Sequence, residues 1–195
     1  MKEEKRIKDL AINIDMINGF VKEGTLAAPS IMRVVKRQQE ILDEYKNNEE
    51  KGIIFIRDEH TKDAVEFKTF PEHCLKGSKE SELIDELKEY YKEAYDFPKN
   101  STNFVFAPGF QEQINKFVNL ETVTLMGCLS EVCVKNGGIT LRNYFDQFNK
   151  DVDIYVAADA IDTYDAPGHN ADEVTEQALN DMEANGIKIL GRRVK

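Results

Sequence analysis

The chain has no tryptophan, only three cysteines and three histidines, and no long hydrophobic run. Its longest largely apolar stretches, at 52–56 and 123–129, are far shorter than the roughly 20 residues that a membrane-spanning helix needs. The first ten residues carry several charges but no apolar signal segment. Three cysteines are an odd number without the spacing of a disulfide framework, which is typical of a reducing compartment. These absences predict a cytoplasmic protein without a membrane partner.

The chain also lacks any excess of basic residues. Of its 195 residues, 36 are acidic and 26 are basic, which gives a formal net charge of −10. A surface of this sign repels nucleic-acid phosphates and anionic lipids. Hydrophobic residues make up 41% of the chain, which suffices for one sizeable core. We therefore expect a folded protein with a small-molecule substrate and no nucleic-acid partner.

What the sequence does contain is an alternation of apolar and amphipathic segments. Strands are predicted at 8–15, 52–60, 121–127, 152–161 and 187–190. A further short strand, the third in chain order, is predicted to end at Pro98-Lys99. Helices are predicted at 29–50, from Ser78 or Ser81 to about 95, and at 111–118, 130–149 and 171–186. Strands that alternate with helices over short connections form a parallel sheet covered on both faces. The pattern predicts one domain over residues 1–195, a Rossmann-like three-layer αβα sandwich with a six-stranded parallel sheet, in which Gly137 and Gly138 allow close helix packing.

Reactive side chains stand where the predicted strands end. Asp15 ends the first strand and Lys99 the third. Asp58 and His60 end the second, and Cys133 lies in the first turn after the fourth. The carboxyl ends of parallel strands meet at one edge of the sheet, which is where open α/β sheets bind ligands. An acid, a metal-ligand pair, a cation and a thiol are therefore predicted to converge.

Cys133 has surroundings that can make a thiol nucleophilic. A helix N-terminus and a cation such as Lys99 lower the pKa of a thiol, and Asp15 could accept its proton. Backbone N–H groups at the helix start could hold an oxyanion. The alternative is an inert buried cysteine, which is the commoner role of an isolated cysteine. Cys128 is interpreted as a packing residue, and Cys74 is a weaker alternative nucleophile or metal ligand.

Two of the three histidines flank one short polar segment. Asp58 and His60 are two residues apart, so they point to the same side of an extended backbone. His73 stands at the far end of the segment, and Glu66 lies within it. Two histidines with one or two carboxylates suit Zn²⁺, Fe²⁺ or Mn²⁺. The competing interpretation is a loop of solvated charges, and the third histidine, His169, is interpreted as a helix-start or surface residue.

Four motifs follow one another along the chain. They are IDMINGF, then RDEH with FPEHC, then KNSTNF, then GCLSEVCV. In this order they resemble the acid motif, the metal segment, the lysine motif and the nucleophile motif of the isochorismatase-like cysteine hydrolases, in their nicotinamidase and pyrazinamidase branch. The resemblance covers nearly the whole chain and includes the last helix. Two departures are Ile17, where the family often has glutamine, and Ser130-Glu131 in place of Thr-Asp.

The resemblance implies a role for each reactive residue. It implies a catalytic triad of Asp15, Lys99 and Cys133, in which the acid takes the thiol proton and the lysine stabilises the charge. The thiolate would attack an amide carbonyl, release ammonia and form a thioester that water hydrolyses. An oxyanion hole would use the N–H groups of Leu129 and Cys133, beside a cis peptide bond between Cys128 and Leu129.

The resemblance also implies a metal ion and an aromatic pocket. One divalent ion, Zn²⁺, Fe²⁺ or Mn²⁺, would orient the pyridine nitrogen of the substrate. Its implied ligands are Asp58, His60, Glu66 and His73. The implied substrate-binding residues are Phe20, Leu26 and Phe70.

The implied activity is hydrolysis of nicotinamide, a linear amide, to nicotinate and ammonia in NAD salvage, with pyrazinamide as a further substrate. The alternative enzyme is another isochorismatase-like amidohydrolase with a different small amide substrate, and such branches usually lack the metal segment. A catalytically inactive binding module is disfavoured because the acid, the lysine and the cysteine are all present. Relatives of this kind are often dimers or tetramers, so a homo-oligomer is expected.

Overall fold

Six parallel strands form the centre of the protein. The computed structural model describes residues 6–192, and the ends of the predicted domain, 1–5 and 193–195, lie outside the described part. The strands are β1 Asp9–Ile14, β2 Lys51–Asp58, β3 Tyr95–Lys99, β4 Thr122–Cys128, β5 Asp153–Asp162 and β6 Lys188–Leu190. Every neighbouring pair is parallel, and the sheet order is β3-β2-β1-β4-β5-β6. The predicted six-stranded parallel sheet is confirmed.

Helices connect the strands. The α-helices are α1 Asn18–Val21, α2 Val35–Tyr45, α3 Phe110–Ile114, α4 Lys135–Gln147 and α5 Ala171–Ala184. Turns of 3₁₀-helix lie at Pro29–Val34, Val65–Lys68, Lys79–Ser81, Asp85–Glu93 and Phe104–Phe106, and one turn of π-helix lies at Ser130–Val134. Within residues 6–192, no helix combines the length and the apolar character needed to cross a membrane.

The side chains of β1 alternate between two buried clusters. Leu10, Ile12 and Ile14 belong to one cluster, together with side chains from α3, α4 and α5. Ala11 belongs to the other cluster, together with side chains from α2 and 85–93. Burying one such leucine or isoleucine fully contributes about 1.5–3 kcal/mol to stability. The sheet is therefore covered on both faces, which confirms the three-layer αβα architecture.

Residues 85–93 form a 3₁₀-helix instead of the α-helix predicted for this region. The buried side chains Ile84, Leu87 and Tyr90 are spaced by three residues. This spacing places side chains in one straight row on a 3₁₀-helix, which has three residues per turn, whereas on an α-helix each successive side chain would be offset by about 60° around the axis. Packing of this row against the core explains the tighter helix.

Two other predicted helices are shorter than expected. The helix predicted at 29–50 consists of a 3₁₀ turn followed by α2, which ends at Tyr45. Asn47 then adopts a left-handed backbone with φ +59°, which does not continue a helix. The helix predicted at 111–118 is reduced to α3.

Gly138 lies where α4 packs on the sheet, and Gly137 lies where α4 packs on the 3₁₀ turn Phe104–Phe106. A Cβ atom at Gly137 would lie 2.1 Å from the ring of Phe104, and one at Gly138 would lie 2.9 Å from Leu125. No side chain fits at the first distance without movement of the ring. The predicted role of these glycines in close packing is confirmed.

Candidate active site

Asp15, Lys99 and Cys133 lie together at the carboxyl edge of the sheet. Asp15 directly follows β1, Lys99 is the last residue of β3, and Cys133 lies in the π-helical turn after β4. The strand order reverses at β1, between β2 and β4, and open α/β sheets bind ligands at such a point. The structure thus brings together the three side chains of the predicted triad.

The end of β4 requires glycine. Gly127 has φ +124°, and a Cβ atom there would lie 2.0 Å from the carbonyl oxygen of Ile14 in β1. The absent side chain lets the ends of the two strands approach. The peptide bond between the following two residues, Cys128 and Leu129, is cis, as the family resemblance implies. The π-helical turn begins one residue later, and the oxyanion hole of Leu129 and Cys133 N–H groups stays a prediction.

The Lys99 ammonium group joins two carboxylates and the thiol. Its Nζ lies 2.9 Å from Oδ2 of Asp15, 2.6 Å from Oδ1 of Asp58 and 3.6 Å from Sγ of Cys133. Lys99 is 1% exposed. Burial by itself lowers the pKa of a lysine, but the two carboxylates raise the pKa of Lys99 well above its ordinary value. The site therefore contains a permanent buried cation.

Asp15 has the properties of a proton acceptor. Burial raises the pKa of its carboxyl group to about 6, although the charge of Lys99 opposes this shift. The neighbouring Cys133 thiol also opposes this shift and lowers the pKa of the carboxyl group. An aspartate with a pKa near 6 is a stronger base than an ordinary aspartate and is still ionised at neutral pH.

The pKa of Cys133 corrects the prediction made from the sequence. Lys99 and the helix start were expected to lower this pKa. Burial instead raises the pKa of the thiol well above its ordinary value. The charge of Lys99 opposes this shift, whereas the charges of Asp15 and Asp58 add to it. The prediction of a lowered pKa is wrong because the sulfur is almost fully buried beside an anion. The thiol of Cys133 is therefore favoured over the thiolate in the resting site.

The other two cysteines have different surroundings. Sγ of Cys128 donates to the carbonyl oxygen of Asp15 at 3.1 Å, and a Cβ atom at Gly19 would lie 2.5 Å from Sγ of Cys74. Burial raises the pKa of both thiols. Among the residues described, Cys133 is the cysteine that has its sulfur within hydrogen-bonding distance of Lys99. The geometry therefore favours Cys133 as the candidate nucleophile.

Asp58, His60, Glu66 and His73 form a group that could hold a metal ion. One potential ligand atom from each residue lies within 4.8 Å of the others. Nε2 of His60 lies 3.2 Å, and Nε2 of His73 3.4 Å, from Oδ2 of Asp58. Burial and the charge of Asp58 raise the pKa of Glu66, and a cation between these groups would relieve that repulsion. Asp58 uses its other oxygen for Lys99, so one carboxylate belongs to both groups.

The ring nitrogens of the two histidines fit a divalent cation. Nδ1 of His60 donates to Oδ1 of Asn100 at 2.9 Å, and Nδ1 of His73 donates to the carbonyl oxygen of Pro71 at 2.8 Å. These acceptors keep the proton on Nδ1 and leave the Nε2 lone pairs free to bind a metal. Nε2 of His60 is buried and, among residues 6–192, makes no hydrogen bond. Two imidazoles with two carboxylates suit Zn²⁺, Fe²⁺ or Mn²⁺.

Phe20 and Phe67 are the phenylalanines that contact the histidines. The ring centroids of Phe20 and His73 are 5.7 Å apart, and that of Phe67 lies 5.2 Å from His60 and 5.6 Å from His73. Phe70 is 37% exposed and, in the described part of the chain, makes no ring contact with His73. The predicted substrate-binding role of Phe70 is therefore without support from this geometry and stays a prediction.

Phe67, like Asn100, is a site residue that the sequence analysis missed. The family offset from His73 points to Phe70, whereas the 3₁₀ turn Val65–Lys68 places Phe67 beside the histidines. Phe67 directly follows Glu66, so a conformation that brings Glu66 to the metal group also brings Phe67 close. The position of Phe67 next to Glu66 was therefore the sequence signal that could have identified it as a site residue. Leu26 is half-buried and packs against the core cluster on the α2 face of the sheet.

Replacing Asn100 by alanine is expected to weaken metal binding by about 10- to 100-fold, because His60 loses the acceptor that orients its ring. Titration of chelator-treated protein with Zn²⁺ or Mn²⁺ in a calorimeter measures this affinity. His60→Ala is the positive control, and Ser101→Ala, at the exposed neighbouring position, is the matched negative control. Equal affinities for Asn100→Ala and Ser101→Ala would contradict the role of Asn100.

Comparison with solved structures places the fold among known hydrolases. An isochorismatase-like hydrolase from Alkaliphilus metalliredigens matches with a TM-score of 0.75 and 23% identity, over 93% of each chain. A pyrazinamidase of Pyrococcus horikoshii, solved in complex with zinc, matches with a TM-score of 0.73 and 22% identity, over 94% of this chain and 98% of that one. An N-carbamoylsarcosine amidase from Thermoplasma acidophilum matches with a TM-score of 0.73 and 21% identity, over 94% and 95%. At these identities the likeness shows the fold.

Sequence comparison identifies the family. No match was found among curated proteins. The family model of the isochorismatase domain matches residues 9–192, which is almost the whole chain and includes every residue of the site described above. The chain belongs to the isochorismatase domain family.

Proposed function

We propose that this hydrolase is a metal-containing amidase that converts nicotinamide to nicotinate and ammonia and also accepts pyrazinamide. The observation that carries the proposal is the position of Asp58, with one oxygen 2.6 Å from Lys99 and the other facing His60 and His73. A hydrolytic triad and a metal-ligand group thus share one carboxylate. The proposal includes a role in NAD salvage for a cytoplasmic homo-oligomer.

The triad can carry out the formation of an acyl-enzyme. Asp15 takes the proton of Cys133 as Sγ attacks the carboxamide carbon, so that a C–S bond forms and the carbonyl oxygen becomes an oxyanion. The N–H groups of Leu129 and Cys133 would stabilise this oxyanion, and the charge of Lys99 offsets the negative charges nearby. Asp15 then returns the proton to the amide nitrogen, the C–N bond breaks, and ammonia leaves a thioester.

Hydrolysis of the thioester regenerates the enzyme. Asp15 takes a proton from water as the water oxygen attacks the thioester carbon. The C–S bond breaks, the sulfur of Cys133 recovers the proton, and nicotinate is released. One acid therefore serves both half-reactions, which its pKa near 6 allows.

The metal group has a separate task in this proposal. When bound by the four ligands of the group, a divalent ion supplies a Lewis acid for the pyridine nitrogen. Phe20 and Phe67, which contact His73, would border the substrate ring. These residues bind and orient the substrate, whereas the triad carries out the bond changes.

Ammonia release from nicotinamide by purified protein tests the proposal. Release is expected to fall after chelator treatment and to return when Zn²⁺, Mn²⁺ or Fe²⁺ is added. Benzamide is the matched substrate because it has the same amide but lacks the ring nitrogen, and it should be hydrolysed much more slowly. Absence of release with every metal would overturn the nicotinamide assignment and leave a hydrolase of another small amide.

The pH dependence of kcat/KM is expected to follow the ionisation of Asp15. Burial raises its pKa to about 6, so the carboxylate needed as base is lost as the pH falls through this value. The plot of kcat/KM should be level near pH 7 and decline about tenfold per unit below about pH 6. A profile that stays level down to pH 4 would contradict the assignment of Asp15 as the base.

Replacing Phe67 by alanine is expected to raise the KM for nicotinamide about tenfold, because an aromatic contact of the pocket is lost. Replacing the more exposed Phe70 should change KM less than about twofold. Steady-state kinetics on the two variants gives the comparison, with metal content measured on both. A larger effect of Phe70→Ala on KM would show that Phe70, the residue implied by the family resemblance, contacts the substrate instead of Phe67.

A further inference from the structure

The segment between β5 and α5 lies against the turn that carries Cys133. Strand β5 pairs with β4, and Asp162 is in register with Cys128 beside the cis bond. Thr163 follows directly and is fully buried. At the other end of the segment, the side chain of Asn170 caps α5. Residues 163–170 therefore flank the nucleophile turn on the β5 side.

This segment is held by bonds of its own. Ala166 and His169 exchange backbone hydrogen bonds of 3.0 and 2.8 Å, with Gly168 between them at φ +79°. The rings of Tyr164 and His169 are stacked, with centroids 3.9 Å apart and planes 3° apart. Nδ1 of His169 donates to the carbonyl oxygen of Tyr164 at 2.9 Å. These contacts within the segment fix the position of the His169 ring independently of the rest of the site.

One carboxylate connects this segment to the nucleophile turn. Oε1 of Glu131 accepts a hydrogen bond from the Thr163 hydroxyl at 3.0 Å and lies 3.2 Å from Nε2 of His169. The two ring nitrogens of His169 thus face two acceptors, the carbonyl oxygen of Tyr164 and the carboxylate of Glu131. Glu131 stands two residues before Cys133 in the same π-helical turn.

We propose that Glu131 and His169 are positioning residues for Cys133. Together with Thr163 they tie the π-helical turn to the preformed 163–170 segment, which fixes the distance from Sγ to Lys99 and the direction of the turn's N–H groups. The inference rests on the proposed role of Cys133 as nucleophile. A displacement of about 1 Å of a reacting group can cost about 100-fold in rate, so a tether of this kind acts on turnover.

Kinetics and hydrogen exchange of matched variants test the tether. Glu131→Ala and His169→Ala are expected to lower kcat about 10- to 100-fold with KM changed less than about twofold. Glu131→Gln keeps an acceptor for the Thr163 hydroxyl and should recover part of the loss. The double variant Glu131→Ala/His169→Ala should lose no more than Glu131→Ala alone, because the two residues act as one unit.

Asp181→Ala is the control. Asp181 pairs with Lys135 at 3.1 Å and ties the start of α4 to α5, but among the residues described it makes no hydrogen bond or ion pair with the 163–170 segment. Amide exchange of a peptide spanning 129–135, followed by mass spectrometry, should be at least about tenfold faster in the two tether variants and unchanged in the control. Unchanged exchange in Glu131→Ala, or a KM effect without a kcat effect, would overturn the inference. The exchange measurement uses no substrate, so it decides the inference even if nicotinamide is not hydrolysed.

Discussion

Replacement of Cys133 by serine is expected to lower ammonia release by on the order of a thousandfold or more, since removal of a catalytic nucleophile has effects of at least this size. A serine hydroxyl is far less acidic than a thiol, so a base with a pKa near 6 removes its proton much less readily. The variant should fold normally because oxygen replaces sulfur at a nearly fully buried position without a change of shape. A coupled ammonia assay and thermal unfolding of the same preparations measure the two effects.

Cys74→Ala is the control for this experiment. Cys74 is also buried, but its sulfur lies beside Gly19 and outside the triad. The control should retain ammonia release within a few fold of the unsubstituted protein. If Cys74→Ala were inactive and Cys133→Ser active, the nucleophile would have to be reassigned.

Replacement of Lys99 by methionine is expected to abolish turnover and to lower the free energy of unfolding by about 3–5 kcal/mol. The methionine fills the same space, but Asp15 and Asp58 are then left buried without the cation that lies 2.9 and 2.6 Å from them. Removal of one partner of a buried ion pair costs more than the pair itself contributes, because the remaining charge stays desolvated. Urea unfolding of metal-free protein at pH 7 measures the change.

Lys116→Met is the matched substitution. Lys116 pairs with Glu112 at 3.5 Å on the surface of the protein. Its loss should change the unfolding free energy by less than about 0.5 kcal/mol. Equal stability of the Lys99 and Lys116 variants would show that the two buried carboxylates do not depend on Lys99.

The sequence predicts most of the fold and of the site through one rule about strand ends. Apolar runs that stop at Asp15, Asp58 and Lys99 locate three strands, and parallel strands bring their carboxyl ends together. The order of the motifs supplied the roles of these residues and the position of the cis bond before Leu129. These features depend on short segments of chain, which a sequence pattern describes well.

Features that depend on packing between distant segments were not predicted. The row of Ile84, Leu87 and Tyr90 suits two helix types, and contact with the core decides between them. The pKa of Cys133 depends on how deeply the sulfur is buried, which local spacing does not give. The approach of His169 to Glu131 joins residues 38 positions apart, and the sequence alone gave His169 a helix-start or surface role.

The shared carboxylate of Asp58 limits how this site can diverge. A descendant that lost Asp58 would lose one potential metal ligand and would also deprive Lys99 of one of its two anionic neighbours. Loss of the histidines, by contrast, leaves that ion pair intact. Along an evolutionary or engineered path to a hydrolase without the proposed metal site, His60 and His73 are therefore the residues that can change first, and Asp58 is the potential ligand that must be kept.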